Sequence, residues 1–364
     1  MSDVKKNSGL EEILKKAGGW HSLSRDEVLF LLDLESTGEI ENLFAAARRL
    51  RAENFDNRVF LYGFIYFSTY CRNDCAFCYY RRSNREVNRY RKTEQQIVET
   101  AVKLAESGVH LLDLTMGEDP LYFSNDNFEE LIALSGAVKK TTGLPVMISP
   151  GLVPAAALKK FKNAGLDWYA CYQETHNRRL YEKLRLEQDF EERMEAKKKA
   201  HEIGLLIEEG LLAGLGETSP DIYSSFQAMA ELSADQVRVM SFVPQKGTPL
   251  EKRPAQAPLK ELKIIAIMRL LFPDRLIPAS LDVEGLGGLK KRLDAGANVI
   301  TSIIPPSGGL MGVSQSTLDI EEGARTVAGI MPVLEECSLK TGTVAEYQAW
   351  LEQAKSSLQT GASL

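Results

Sequence analysis

The chain has 364 residues and a formal net charge of −6, with 44% apolar and 26% charged residues. This composition excludes intrinsic disorder, a collagen-like chain and a disulfide scaffold. The slight excess of negative charge argues against sequence-independent binding to nucleic acid, because such binding needs many cations against the phosphates. No segment reaches the ~18 apolar residues of a membrane span, and the first residues lack a signal-peptide pattern. We therefore expect a cytoplasmic protein that binds neither nucleic acid nor membranes.

The first 56 residues have the spacing of helices. Apolar residues recur at helical intervals before Gly18, and Ser24 with Glu27 forms the pattern of a capping box ahead of a second apolar run. The chain is expected to divide into a helical extension packed on the main body, a main domain, and a C-terminal helical segment packed on that domain, at residues 1–56, 57–310 and 311–364.

Eight short apolar runs follow, separated by helix-like stretches. Continuous apolar strands that alternate with helices indicate a parallel sheet buried on both faces. Eight such units close most naturally into a (β/α)8 barrel. An open doubly wound sheet is the alternative, but the turn after the first run lacks the glycine-rich dinucleotide pattern. The predicted strands are 59–67, 109–115, 145–149, 167–172, 205–213, 237–243, 276–281 and 298–304.

Three of the five cysteines lie within eight residues, directly after the first predicted strand. Cys71, Cys75 and Cys78 have the spacing C-x3-C-x2-C, and the aromatic Phe77 precedes the third cysteine. Three thiolates on a short loop can bind three irons of a [4Fe-4S] cube, which leaves the fourth iron open, as catalytic metal sites require. The alternatives are a structural zinc site, with a fourth ligand from a remote cysteine or histidine, and three inert core cysteines.

This motif, placed after the first strand of a barrel, resembles that of the radical S-adenosylmethionine (SAM) superfamily over at least residues 59–304. The resemblance implies that the open iron binds SAM, and that an electron from the reduced cluster produces a 5′-deoxyadenosyl radical, which the protein orients and shields. Taken alone, Glu118 and Asp119 would also fit a turn, and Arg193 would fit a solvated helix face. The residues that match the superfamily's SAM-binding positions are Phe77, Gly117, Glu118, Asp119, Ser149, Glu174 and Arg193.

Longer stretches of the chain resemble the methylornithine synthase family of pyrrolysine biosynthesis. The resemblance implies an isomerase that converts L-lysine to (3R)-3-methyl-D-ornithine: a substrate radical fragments into a glycyl-type radical and an alkenyl amine, which then recombine. It also implies an external one-electron reductant such as flavodoxin or ferredoxin, and we expect a monomer. The similarity weakens over the first ~50 residues and after about residue 310. The matching stretches are 64–71, 113–120, 147–152, 172–175, 237–240, 275–282 and 296–306.

The family's substrate contacts match Asp113, Arg238, Ser280 and Asp282, and the charges of these residues suit lysine independently. Arg238 can bind the carboxylate bidentately, while Asp113, and Asp282 with Ser280, can take the two ammonium groups in either order. Two alternatives stay open: Asp113 and Arg238 could form a buried structural ion pair, and Asp282 could cap a helix. Of the adjacent Glu208 and Glu209, one faces into the barrel without an assigned role.

The competing hypothesis from the same superfamily is an enzyme like the maturase of [FeFe]-hydrogenase, acting on another small amino acid or a thiol. It shares the cysteine motif and the run GEDP at 117–120, but the charged set favours a substrate with two amines. A non-enzymatic [4Fe-4S] carrier would need a fourth cysteine to close the cube. Cys171 is predicted to be a buried core thiol and Cys337 an inert helix residue, so no ligands remain for an auxiliary cluster.

Overall fold

The computed structural model describes residues 2–124, 128–305 and 324–360, with side chains described between residues 9 and 358. All eight predicted strands are present, and each pairs with its neighbours in parallel. The strands are β1 (Arg58–Ser68), β2 (Leu111–Met116), β3 (Val146–Ser149), β4 (Trp168–Ala170), β5 (Leu206–Ala213), β6 (Gln236–Ser241), β7 (Pro278–Ser280) and β8 (Val299–Ile303).

The sheet closes on itself. Its strand order is β6-β5-β4-β3-β2-β1-β8-β7, and a parallel bridge between Gln236 of β6 and Leu276, just before β7, joins the two edges. Val237 donates a backbone hydrogen bond to the Leu276 carbonyl at 3.0 Å across the same seam. The (β/α)8 barrel predicted from the alternating apolar runs is therefore confirmed, and the open doubly wound sheet is excluded.

Helices cover the outside of the barrel, and further helices precede the first strand and follow the eighth. Ser24 forms the predicted capping box with Glu27 at the start of one helix, and Thr93 forms another with Gln96. The helices are α1 (Ser2–Lys16), α2 (Arg25–Leu32), α3 (Thr37–Phe55), α4 (Glu94–Glu106), α5 (Pro120–Phe123), α6 (Glu129–Thr142), α7 (Ala155–Asn163), α8 (Arg178–Leu184), α9 (Phe190–Ile203), α10 (Ser219–Glu231), α11 (Pro258–Leu271), α12 (Gly285–Asp294), α13 (Val327–Glu336) and α14 (Val344–Thr360).

The N-terminal helices pack on one side of the barrel. Helix α3 lies against α11, and α2 lies against α10 and α11. Leu43, Ala47 and Leu50 of α3 are buried in the same apolar core as the barrel helices. In the part of the chain that the structure describes, none of the helices has the length and apolar character needed to cross a membrane.

The C-terminal helix α14 closes the amino end of the barrel. Tyr347 and Leu351 of α14 are buried in a core formed by the first residues of the strands, among them Phe60 and Trp168. The hydroxyl groups of Tyr347 and Tyr62 lie 2.8 Å apart in a hydrogen bond, and the short strand β9 (Lys340–Thr341), which leads into α14, pairs with β1. Since this end is filled, ligands reach the barrel interior from the carboxyl ends of the strands.

Candidate active site

A cavity of about 250 Å³ opens at the carboxyl ends of the strands. Parallel strands bring their carboxyl ends to one mouth, so residues distant in sequence meet there. Two of the predicted site residues, Asp119 and Ser280, do not line the cavity. The predicted residues that do line it are Cys71, Cys75, Phe77, Cys78, Asp113, Gly117, Glu118, Ser149, Glu174, Arg193, Arg238 and Asp282.

The cysteine loop forms one wall of this cavity. The sulfur of Cys75 accepts a hydrogen bond from Nε2 of Gln188 at 3.0 Å and a longer one from Nη1 of Arg185 at 3.7 Å. Burial raises the pKa of the Cys71 thiol to about 11, and burial together with the neighbouring thiols raises the pKa of Cys78. The loop therefore holds thiols whose ionised form needs a cationic partner.

The donor set fits an iron–sulfur cube better than a single metal ion. Within residues 2–124, 128–305 and 324–360, no group of three His, Cys, Asp or Glu side chains could hold one metal ion. A zinc ion needs its ligands to converge at about 2.0–2.3 Å, whereas each thiolate of a [4Fe-4S] cluster binds a different iron. Three separate thiols on one loop meet the second requirement.

Glu118 lies beside the cysteine loop and is held by two arginines. Its carboxylate accepts hydrogen bonds from Nε of Arg72 at 2.9 Å, from the backbone of Leu152 at 3.0 Å and from Nη1 of Arg193 at 3.4 Å. These contacts hold the pKa of Glu118 below its usual value although burial opposes them. Glu118 can lie against the backbone of residue 151 because that residue is a glycine. A Cβ at this position would lie 2.2 Å from Cγ of Glu118.

Arg193 is buried. The many charged residues around it in sequence would also have been compatible with a solvent-exposed helix face. Its Nε donates to the backbone carbonyl of Tyr172 at 2.9 Å, and only 6% of its side chain is exposed. Gly117 is equally confined, since a Cβ at that position would lie 2.4 Å from the carbonyl oxygen of Tyr70. The backbone of residue 117 can therefore lie close under the cysteine loop.

Glu174 follows β4 with a left-handed backbone, at φ 67°. A non-glycine residue in this region carries backbone strain, which is typical of functional sites. Its carboxylate accepts a hydrogen bond from Nη2 of Arg185 at 3.0 Å. Burial raises its pKa, while Arg185 and Arg193 oppose that rise. The guanidinium of Arg185 also lies 5.5 Å from the ring of Phe77, so this arginine links the cysteine loop to the end of β4.

Asp113 of β2 presents a carboxylate that forms no ion pair with any of the described residues. Its Oδ1 accepts hydrogen bonds from the hydroxyls of Thr115 at 2.8 Å and Ser149 at 3.0 Å. Burial, and then the nearby Glu208 carboxylate, raise the pKa of Asp113 to about 6. The Ser149 hydroxyl, expected to contact SAM, is thus also a partner of the expected substrate residue.

Arg238 pairs with Glu208, not with Asp113. Its Nε lies 2.5 Å from Oε1 of Glu208, and the Tyr172 hydroxyl donates to the other oxygen of Glu208 at 2.6 Å. Glu208 is the member of the adjacent glutamate pair that faces inward. Glu209 points to the outer layer, where it forms a buried ion pair with Lys197. The alternative of a structural Asp113–Arg238 pair is therefore not what forms.

Asp282 follows β7 and belongs to a buried hydrogen-bonded group. Its Oδ2 accepts from the Ser302 hydroxyl at 2.7 Å and, more weakly, from Ser280 at 3.4 Å. Its Oδ1 accepts from Nη1 of Arg325 at 2.8 Å. Residue 284, not Asp282, occupies the N-cap position of α12, so the helix-cap alternative is excluded. Ser280, which lies behind the cavity wall, contacts Asp282.

Asp119 has a structural position. Its carboxylate accepts from both Nε and Nη2 of Arg91, at 2.5 and 2.8 Å, from the Ser68 hydroxyl at 2.5 Å, and from the backbone of Leu121 at 3.0 Å as the N-cap of α5. This matches the turn alternative that the sequence left open for Asp119.

The two remaining cysteines, Cys171 and Cys337, differ in burial and in position relative to the cavity. Cys171 is buried, as predicted, and also lines the cavity. Cys337 is half-buried at the C-cap of α13.

Five residues that organise this site are not among the predicted site residues. The sequence predicts one inward-facing glutamate on β5 without a role, and Tyr172 lies inside one of the matching stretches. Arg185, Gln188 and Arg325 lie in stretches whose polar residues look like ordinary surface positions in sequence. Only the burial of their side chains against Cys75, Glu174 and Asp282 reveals them.

A cysteine loop that can carry a cube with one open iron, at the mouth of a (β/α)8 barrel, defines a radical SAM enzyme. The model of the radical SAM superfamily matches residues 65–228. The chain is 47% identical to a 3-methylornithine synthase of Methanosarcina acetivorans, over 90% of this chain and 93% of that one. The chain belongs to the 3-methylornithine synthase family, whose cofactors are a [4Fe-4S] cluster and SAM.

A solved structure and a more distant relative agree with this family assignment. A crystal structure of methylornithine synthase superposes with a TM-score of 0.87 at 44% identity, covering 94% of this chain and 99% of that chain. The [FeFe] hydrogenase maturase subunit HydE of Thermotoga maritima is 33% identical over 81% of this chain and 84% of its own length. The maturase is thus the more distant relative.

Proposed function

We propose that this chain isomerises L-lysine to (3R)-3-methyl-D-ornithine by radical fragmentation and recombination, as the first step of pyrrolysine biosynthesis. The observation that carries the proposal is the placement of opposite charges on facing walls of the cavity. Asp113 on β2 and Arg238 on β6 lie four strands apart in an eight-stranded barrel, so they face each other across the mouth. A molecule with an ammonium group at one end and a carboxylate at the other fits between them.

The cofactors have their candidate ligands on the other side of the same cavity. Cys71, Cys75 and Cys78 would hold the cluster, and Gly117, Glu118, Ser149, Glu174 and Arg193 with Phe77 would hold SAM. When bound, the two cofactors supply a radical that removes a hydrogen atom from the substrate. The hydrogen bonds from Gln188 and Arg185 to Cys75 would spread the negative charge of the thiolate.

The chain's own residues would anchor, orient and shield the substrate. Arg238 would bind the carboxylate, and Asp113 would bind one ammonium group through an oxygen that Thr115 and Ser149 already orient. Fragmentation requires both pieces to stay in place until they recombine, and charged anchors at both ends meet that requirement. Tyr62 and Tyr347 fill the amino end of the barrel. This filled end would keep water from reaching the substrate radicals from that side.

A second ammonium site would lie at Asp282, with Ser280 behind it. Because Arg325 already pairs with Asp282, this carboxylate would bind an ammonium group as part of a neutral pair, and so more weakly than Asp113. The proposal includes an external one-electron reductant, a monomeric enzyme and a cytoplasmic location.

The test is an anaerobic incubation of the reconstituted protein with SAM, dithionite and uniformly ¹³C-labelled L-lysine, analysed by liquid chromatography and mass spectrometry. The expected product has the mass of labelled lysine and the retention of synthetic 3-methylornithine. Formation of 5′-deoxyadenosine with unchanged lysine would overturn the substrate assignment and favour a maturase-like reaction on another small molecule. A variant lacking Cys75 serves as the control for uncatalysed chemistry.

A further inference from the structure

Glu208 is a fully buried carboxylate without a role in the reaction as proposed so far. It lies on β5 between Ala170 of β4 and Gln236 of β6, and it does not line the cavity. Its two oxygens bond to Nε of Arg238 at 2.5 Å and to the hydroxyl of Tyr172 at 2.6 Å. Among the described residues, Arg238 and Tyr172 therefore connect Glu208 to the cavity.

The pairing leaves the outer edge of the Arg238 guanidinium for a ligand. Nε is occupied by Glu208, and Nη1 has only the sulfur of Met240 at 3.7 Å. Within the described part of the chain, Nη2 of Arg238 has no acceptor. The guanidinium lies 5.5 Å from the ring of Tyr172, and Gly210 beside it leaves no Cβ to crowd either side chain. The two terminal nitrogens are the edge that can take a carboxylate.

Glu208 also sets the net charge of the part of the cavity that would bind the substrate, around Asp113, Arg238 and Asp282. Arg238 with Glu208, and Arg325 with Asp282, form two neutral pairs. Among the described residues, Asp113 has hydroxyl partners only, so it leaves one net negative charge. L-lysine has one net positive charge, whereas an amino acid with an uncharged side chain has none. Without Glu208, the same pocket would be neutral and would lose its preference for a second ammonium group.

We infer that Glu208 is a positioning residue that acts through Arg238 and selects diamino monocarboxylates over neutral amino acids of the same length. The inference rests on the proposed function, because it takes lysine as the occupant of this pocket. Buried charges interact strongly over a few ångströms, and unpaired buried charges are unfavourable. A single compensating carboxylate behind the arginine can therefore decide which ligand charge is accepted.

The test compares the binding of L-lysine and L-norleucine, which lacks the terminal ammonium group, to the reconstituted holoprotein with SAM. We expect Glu208→Gln to reduce the preference for lysine over norleucine by at least about tenfold, with the cluster absorbance unchanged. Glu202→Gln, which removes one negative charge from the exposed surface of α9, should leave the preference unchanged.

A compensating variant separates charge selection from a structural role. Glu208→Gln combined with Arg238→Gln restores one net negative charge, so the preference for lysine should return while the affinity for both ligands falls. This variant also provides the test if Glu208→Gln alone fails to fold, because it removes both members of the ion pair and leaves neither charge without its partner.

Two results would overturn the inference alone: an unchanged preference in Glu208→Gln, or a preference that the double variant does not restore. Failure of the wild-type protein to bind lysine would instead contradict the proposed function itself.

Discussion

Asp282 and Arg325 form a buried ion pair, with 2.8 Å between Oδ1 and Nη1, that joins the end of β7 to the start of α13. Arg325 also donates to the backbone carbonyl of Leu281 at 3.1 Å, and its own carbonyl accepts from the backbone of Ile304 at 2.9 Å. Arg325 thus forms part of the barrel mouth. A carboxylate that looks available to substrate in sequence is already neutralised in the fold.

Arg325→Ala should destabilise the protein by about 3–5 kcal/mol, because it leaves the Asp282 charge buried without its cation. Urea unfolding followed by circular dichroism measures the change. Combining it with Asp282→Asn should recover part of the loss, since the double variant buries no unpaired charge. A double variant no more stable than Arg325→Ala would show that the arginine acts through its backbone contacts instead.

Cys75→Ala should abolish cluster binding, because two thiolates cannot hold three irons of the cube. Iron content, the visible absorbance of the reconstituted protein and SAM cleavage should all be lost together. Cys337→Ala is the matched control: it removes a half-buried thiol at the C-cap of α13 and should keep all three. Loss of the cluster in the Cys337 variant would contradict the assignment of the ligands.

Gln188→Leu should make the reduction potential of the cluster more negative. Hydrogen bonds to the sulfurs are among the factors that set this potential, and Gln188 donates to the Cys75 sulfur at 3.0 Å. Without that donor, the more negative reduced state loses a stabilising contact. A redox titration followed by electron paramagnetic resonance measures the shift, and an unchanged or more positive potential would show that this contact is absent in the holoprotein.

Lysine binding should weaken as the pH falls through about 6. Burial and then Glu208 raise the pKa of Asp113 from 3.8 to about 6, so below that pH the carboxyl is protonated and has no charge for an ammonium group. The dissociation constant should then rise about tenfold per pH unit. Asp113→Asn should weaken binding at pH 7 and remove this dependence. A wild-type profile that is flat between pH 5 and 7 would contradict the role of Asp113.

The sequence allowed the fold and most of the cavity wall to be predicted, for identifiable reasons. Buried parallel strands are continuous apolar runs, so all eight strands could be located from the sequence. The helices between them could be located only approximately. Cys71, Cys75 and Cys78 are close in sequence, so their spacing carries the chemistry directly. Ser149 ends β3, Glu174 follows β4, and Asp113 and Arg238 lie within β2 and β6. Parallel strands bring such positions to one mouth.

The partners of these residues were beyond sequence analysis. Alternation along β5 shows that Glu208 and Glu209 face opposite sides, but not which of them faces inward, because that depends on how the strand is registered in the closed barrel. Asp119 and Glu118 are adjacent acidic residues in one turn. One caps α5 and binds Arg91, while the other lines the cavity.

The sequence by itself determined the class of chemistry and the architecture, because both depend on local patterns: cysteine spacing, apolar periodicity and capping residues. The tertiary structure decided which charges remain available. Arg238 is neutralised from behind by Glu208, thirty positions away, and Asp282 by Arg325, forty-three positions away. Asp113, by contrast, receives only hydroxyl donors from the residues that the structure describes. Ion pairs form between side chains that packing brings together, and charge availability in a buried site is therefore a property of the folded barrel.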